Sequence, residues 1–336
     1  MMRLSHQYIE RYSKRVCDEQ ITADRVIRLI YSNLKENAAF LFRTVTSSIL
    51  TELIAWSYYD NPVHLSTSQI RRIIKDLNID TGELLEPECT KSLRTLFERK
   101  IPYWKTRPMP DGTDKVVSPC DARILPGMLS KGSSFFIKNK FFDLDELFGL
   151  DKTAWLEAFE GGAYAIFRLT PDKYHYNHAP VSGRVVDIYE ITGRYHSCNP
   201  SAVIEVVTPY SKNKRVVTII DTDVLNGTGS GLVAMVEIVA LMIGDIKQAY
   251  SRTAYHSPIK LAPNDFILKG QPKSLFRPGS STVVLLFQKN RFAFSKDLLE
   301  NVNRTDVQSR FSKGFGESLV ETDLQVRSEI GTALTK

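Results

Sequence analysis

Two hydrophobic periods divide the chain. In SQIRRIIKDL, Ile70, Ile73, Ile74 and Leu77 recur at spacings of three and four, which puts them on one face of a helix. Ser66, three residues before Gln69, supplies capping-box spacing at its start. Upstream, residues 38–59 repeat the spacing with Phe42, Val45, Ile49, Leu53 and Trp56, followed by Tyr58 and Tyr59. Such a stretch predicts a helix packed on its own core, or an interfacial helix lying in a membrane surface. A third helical segment covers Leu93 to Arg99 and ends at the Pro-rich YWKTRPMPDG.

Beyond residue 115 the period shortens. KVVSPCDARIL, AYAIFRL, GRVVDIYEI, SAVIEVV, RVVTIID, LVAMVEIVALMI and STVVLLF are β-branched or aromatic runs bounded by Gly, Pro, Asn or Asp, and each predicts a strand. With no amphipathic helix evident between them, they predict an antiparallel β sandwich or barrel-like core. The expected fold class is α+β. Residues 1–110 form a helical, membrane-associating N-terminal region on a β-rich domain of residues 111–336.

The longest apolar run, GLVAMVEIVALMIG, is 14 residues with Glu237 inside it. A helical span needs about 20, so no helical crossing is expected. The N-terminal MMRLSHQYIERYSKR has no apolar signal core, and export is not indicated. Cys17, Cys89, Cys120 and Cys198 form no CxxC pair, which argues against a disulfide framework or a metal site. The net charge of +6 and pI near 9.0 suggest an acidic partner. No block of five Lys or Arg occurs, so a membrane surface fits better than nucleic acid.

Candidate chemistry lies at strand ends. FRLTPDKYHYNHAPVSG holds His175 and His178 between Pro171 and Pro180, which speak against a helical metal pair. SPCDARI sets Asp121 directly after a strand-like VVSP, and RPGSST sets Ser280 and Ser281 before Val283–Phe287. Asp, His and Ser from separate strand ends are the ingredients of nucleophile activation, though any chain of this size contains such a trio.

Over most of its length, from about residue 20, the chain resembles the pyruvoyl-dependent phosphatidylserine decarboxylases. The resemblance rests on SLRTLFERKIPYWKTRPM, VVSPCDARI, FRLTPDKYHYNHAPVSG, YHSCNP, NKRVV, DTD with GLVAMVEIVALMIGDI, and FRPGSSTVVLLF, in that order. It implies that His178, oriented by Asp121, takes a serine proton. The alkoxide attacks the preceding carbonyl, the peptide becomes an ester, and elimination cuts the chain near 280/281 into β and α chains. The α-chain then begins with a pyruvoyl group, which forms a Schiff base with phosphatidylserine and accepts the carbanion left by CO₂. No metal or pyridoxal phosphate is required. His175 is assigned to the decarboxylation, and a homodimer on the cytoplasmic face of the cell membrane is implied.

Three departures stand out: Ala122 for the usual Gly, Ser274 for the Gly of KGxxxGxF, and GSST for GGST or GST. Gapless alignment makes Ser281 the pyruvoyl precursor, with Ser280 the alternative. Pyruvoyl enzymes acting on histidine also process a Ser-Ser bond, so the Gly is not chemically essential. Two other readings stay open: a pyruvoyl decarboxylase of a soluble, for instance aromatic, amino acid, and a non-processing lipid-binding relative. The 38–59 stretch yields a first prediction. The protein should sediment with anionic vesicles at low salt, and replacing Phe42 and Trp56 by charged residues should release it; full binding by those variants would place the contact elsewhere.

Overall fold

The computed structural model describes residues 5–19, 66–129, 141–240, 245–277 and 281–334. The 38–59 stretch and Ser280 lie outside them. The helix at Thr67–Asp76 is present with its capping box: Ser66 accepts the Gln69 N–H, and the Gln69 side chain accepts the Ser66 N–H. The next α-helix, Leu93–Phe97, stops two residues short of the expected end.

A ten-stranded sheet organises the chain. Its order is β11 (Phe266–Ile267), β7 (Gly183–Ile191), β8 (Arg215–Asp221), β9 (Leu232–Ile238), β13 (Ser281–Phe287), β5 (Ala163–Leu169), β4 (Ala122–Met128), β15 (Thr322–Leu324), β1 (Gln7–Glu10) and β2 (Val16–Asp18). Every neighbouring pair is antiparallel except β1 with β15. Two three-stranded sheets accompany it: β10 (Ile246–Gln248), β12 (Pro272–Phe276) and β6 (Tyr176–His178), and β14 (Phe292–Phe294), β16 (Glu329–Ala333) and β3 (Lys115–Val117). The expected barrel-like closure does not occur. The large sheet is open, with β11 and β2 at its edges.

Both faces of the large sheet are buried. On β13, Val283, Leu285 and Phe287 join a core that includes Ile246 and Phe276 of one small sheet and Val116, Phe292 and Ile330 of the other. Val284 and Leu286 join a second core with Phe148, Phe159, Val203, Tyr210, Val302 and Phe311. These last residues belong to short helices at Leu144–Phe148, Thr153–Phe159, Pro200–Glu205, Pro209–Lys212, Lys296–Val302 and Arg310–Phe315. A central strand buried on both faces reads as an unbroken apolar run, which is why STVVLLF lacks alternation.

Three expectations are corrected here. SAVIEVV is not a strand: residues 200–205 are helical, because Asn199 accepts the Ser201 N–H and Pro200 occupies the first turn, where its missing N–H costs nothing. Helices, moreover, do intervene between the strands. They are too short for a hydrophobic period to reveal. The chain also begins with strand rather than helix, since β1 and β2 extend the large sheet.

A buried charge cluster fastens those first strands. Arg168, on β5, donates from Nε to Glu321 Oε1 at 2.8 Å, and from Nη1 and Nη2 to Glu19 at 3.0 and 2.7 Å. Arg123 pairs with Glu19 and lies over the Tyr8 ring, its guanidinium carbon 3.9 Å from the centroid. Burial alone would raise the Glu321 carboxyl, but Arg168 outweighs it and holds the group down at about 2. Glu19 is held lower than usual by the same guanidinium against the same burial. Both acids therefore bind protons more readily in the unfolded chain. Their stabilisation is complete above the ordinary value of 4.5 and is lost as pH falls toward about 2. Urea midpoints should fall steeply through that window. Arg168→Met, which strands two buried carboxylates, should lose about 3–5 kcal/mol at pH 7. An unchanged midpoint would mean that the cluster is not what secures β1 and β2.

Candidate active site

The turn between β3 and β4 places Asp121. Ser118 Oγ donates to the Cys120 carbonyl at 2.7 Å and tightens the SPCD turn. Asp121 Oδ1 accepts the Val326 N–H at 2.7 Å, and Arg107 donates to both carboxylate oxygens, from Nε at 3.1 Å and Nη2 at 3.0 Å. The other side of the Arg107 fork grips Glu83 at 2.8 and 2.9 Å. Burial disfavours the Arg107 charge, but Asp121 and Glu83 outweigh that and raise its pKa.

His178 ends β6, buried among aromatic rings. Its backbone N–H donates to the Pro119 carbonyl at 2.6 Å, two residues from Asp121. Its Nδ1 lies 2.8 Å from the Gly270 carbonyl and its Nε2 3.0 Å from the Tyr174 hydroxyl. A carbonyl only accepts, so Nδ1 carries the proton and the Nε2 lone pair receives the Tyr174 O–H. Tyr174 in turn lies 2.6 Å from the Tyr255 hydroxyl, and the Tyr103 ring stands edge-on to the imidazole at 4.7 Å. Burial lowers the His178 pKa to about 3, against the smaller upward pull of Asp121. The residue is a neutral imidazole. Gly270 is required where it stands: its φ is +76°, and a Cβ would come within 2.6 Å of Met109 Sδ.

Ser281 is the first residue of β13, opposite Leu169 of β5. Its side chain is buried, and among the described residues Oγ has no hydrogen-bond partner. His175 is buried too, its ring edge-on to Phe97 at 5.2 Å, and its carbonyl accepts the Phe276 N–H at 3.1 Å. Because β6 and β12 are antiparallel, with His178 opposite Pro272 and Tyr176 opposite Leu275, His175 lies at the end of β12 from which the chain runs on to Ser281. His178 lies toward the opposite end. Asp121 lies near His178, whose backbone N–H bonds the Pro119 carbonyl, and the three residues Asp121, His178 and Ser281 make no hydrogen bonds to one another among the described residues. A cavity of about 260 Å³ opens beside Asp121, lined by Arg99, Arg107, Asp121, Lys173, Tyr174 and Asp323 among others; His175, His178 and Ser281 do not line it.

One His–carboxylate group elsewhere, His6 with Glu19 and Glu321, has its ligand atoms within 4.8 Å of one another. It is already satisfied. His6 Nδ1 accepts the Arg310 N–H at 3.1 Å, so Nε2 donates to Glu321 at 2.8 Å, and Arg168 together with Arg123 balances the two carboxylates.

The protein-family model for phosphatidylserine decarboxylase matches residues 93–313, a stretch that contains Asp121, His175, His178 and Ser281. The chain belongs to the phosphatidylserine decarboxylase family. It is similar to the phosphatidylserine decarboxylase proenzyme of Fusobacterium nucleatum, 29% identical over 313 residues that cover 92% of this chain and 97% of that one. The Clostridium tetani proenzyme is 28% identical over 299 residues, 88% and 93% of the two chains. Proenzyme 3 of Schizosaccharomyces pombe is 29% identical over 259 residues, 76% of this chain and 25% of its own.

Two of the chain's three departures, Ala122 and Ser274, have local explanations. Ala122 is not among the residues with positive φ, so its methyl adds no backbone strain. Ser274 uses its hydroxyl as a donor to the buried Glu237. Arg107, Tyr174 and Gly270 were not singled out from sequence, although each lies inside or beside a matched motif. A direct check follows from the burial of His178: its ring signals in NMR should stay those of a neutral, Nδ1-protonated imidazole from pH 8 to about pH 4. A titration centred near 6 would contradict this environment.

Proposed function

We infer that this protein is a self-processing proenzyme which, once cut, decarboxylates phosphatidylserine to phosphatidylethanolamine and CO₂. Family membership carries this reading, together with one observation at the proposed scissile position: a buried serine hydroxyl, unpartnered among the described residues, at the first position of a central strand. That environment fits a residue that is to be converted. A permanently buried serine hydroxyl left unpaired otherwise costs on the order of 1–3 kcal/mol.

For Ser281 Oγ to attack the carbonyl carbon of residue 280, it must release its proton. His178 Nε2 is the acceptor this reading assigns. That lone pair is held by the Tyr174 O–H, so Tyr174 must either leave it or take up the incoming proton while passing its own to Nε2. Asp121, whose charge favours a protonated His178, helps to stabilise the imidazolium that forms. Attack converts the peptide bond into an ester on Oγ. Loss of the α-proton then expels the carboxylate of residue 280 and frees the 56 residues 281–336 as the α-chain. Elimination leaves a dehydroalanine at its head, whose imine tautomer is hydrolysed by water with release of ammonia, and the resulting pyruvoyl group would supply the electron sink that a decarboxylation needs. Ser281 is preferred to Ser280 because it keeps the family register into Val283–Phe287. His175, at the end of β12 nearer Ser281, is assigned to the decarboxylation.

The reading includes a peripheral site of action on the cytoplasmic face of the cell membrane, as a homodimer. Its support is the net charge of +6, which suits an anionic surface, and the resemblance of the whole chain to the family. Among the described residues no helix is long and apolar enough to cross a membrane.

A denaturing gel tests the core of the proposal. The 38.1 kDa chain should resolve into two pieces, the smaller with the mass of 56 residues and a blocked N-terminus. Ser281→Ala should stay whole, Ser280→Gly should cut at least as well as the parent, and His178→Ala should slow cutting by about 10²–10⁴-fold. The cut protein should release CO₂ from phosphatidylserine vesicles and not from free amino acids. An uncut parent would refute self-processing, and a fragment one serine heavier would move the cofactor to Ser280.

A further inference from the structure

Glu237 is a carboxylate with no solvent exposure in a strand that is otherwise apolar. It lies on β9, opposite Val283 of β13, and so on the same face of the large sheet as Val283 and Ser281. Every strand of the small β10–β12–β6 sheet sends it a donor. Gln248 of β10 donates from Nε2 at 3.1 Å, Lys273 of β12 from Nζ at 2.6 Å, and Asn177 of β6 from Nδ2 at 3.2 Å. Ser274 of β12 adds its hydroxyl. The donors are also tied to one another: Lys273 to Gln248 Oε1 at 3.0 Å, and Asn177 to Ser274 Oγ at 3.0 Å.

Stability alone does not account for this arrangement. A buried ion pair is commonly matched or bettered by apolar side chains of like volume, because desolvating both charges offsets their attraction. What apolar packing lacks is direction. Hydrogen bonds from three strands to one carboxylate admit a single relative placement of the two sheets. The strand so placed, β6, carries His178 next to Asn177, and the strand it is placed against stands beside the one that begins with Ser281.

We propose that Glu237 is a positioning residue for self-cleavage: it sets the histidine-bearing sheet over the serine-bearing strand. The role rests on the self-processing reading above. Ser274 belongs to the same device. A glycine, the residue the family pattern has at that position, would offer no side-chain donor to the carboxylate.

The test follows the uncut fraction with time after synthesis, alongside thermal melting, in the full chain. Glu237→Met with Lys273→Met removes both charges and every oxygen while keeping the volume filled. It should melt close to the parent and yet cut at least about tenfold more slowly, since a displacement near 1 Å in a reacting pair can cost 10²-fold. Glu237→Gln with Lys273→Met retains an oxygen for Asn177 and Ser274 and should recover most of the parental rate. Should the Met pair fail to fold, Asn177→Val removes only the β6 link and should also slow cutting. Hydroxylamine at neutral pH, which splits esters and spares ordinary amides, should release no 56-residue fragment from the slow variants, because the defect precedes ester formation; cutting at Asn226–Gly227 gives a different size and does not count. Cutting at the parental rate by the folded Met pair or by Asn177→Val, or release of the 56-residue fragment by hydroxylamine, overturns the role of Glu237. A parent chain that never cuts overturns self-processing itself, and this role with it.

Discussion

Burial of β13 on both faces is the constraint from which the rest follows. All seven of its residues are buried, and ladders to β5 and β9 fix its register from both sides. Apolar side chains of this size contribute about 1.5–3 kcal/mol each when buried, so a one-residue slip would be opposed along the whole strand. Ser281 is thereby held at one point, with its hydroxyl on the face shared by Val283. In the proposed self-processing, a serine acting on its own backbone needs such fixity, because only one placement brings the hydroxyl to the preceding carbonyl.

Around this strand the interior holds charges that are individually costly. Arg168 binds Glu19 and Glu321 on one side of the fold, and Glu237 gathers Lys273, Ser274, Asn177 and Gln248 on another. Both clusters join segments far apart in sequence: the first ties the N-terminal strands to the sheet, the second ties a small sheet to the large one. Apolar contacts supply most of the cohesion. The buried ions supply the alignment.

The electrostatics of His178 express the same economy. Buried among Tyr103 and Tyr174, it is kept neutral with its proton on Nδ1, held there by the Gly270 carbonyl. That is the tautomer a general base needs, with the lone pair on Nε2. In the arrangement described, Tyr174 occupies that lone pair, so the proton transfer proposed for His178 requires Tyr174 to leave it or to relay the proton.

Much of this was legible beforehand. Central strands such as AYAIFRL and STVVLLF announce themselves because β-branched and aromatic runs of this length favour a strand buried on both faces, and the capping box of Ser66 and Gln69 is a local contact. The family motifs singled out Asp121, His175, His178 and Ser281 as candidates because each stands in a recognisable local run, and all four are buried. The helix at Pro200–Glu205 was misread because its cap lies outside the apolar run that suggested a strand, and β1 and β2 were missed because strands of four and three residues carry too little pattern. The openness of the sheet, the pairing of Asp121 with Arg107, the grip of Tyr174 on His178 and the convergence of three strands on Glu237 were settled only by tertiary structure. Each joins residues distant along the chain or from different strands, and hydrogen-bond partners of that kind are chosen by how whole sheets pack, which no local run of residues encodes.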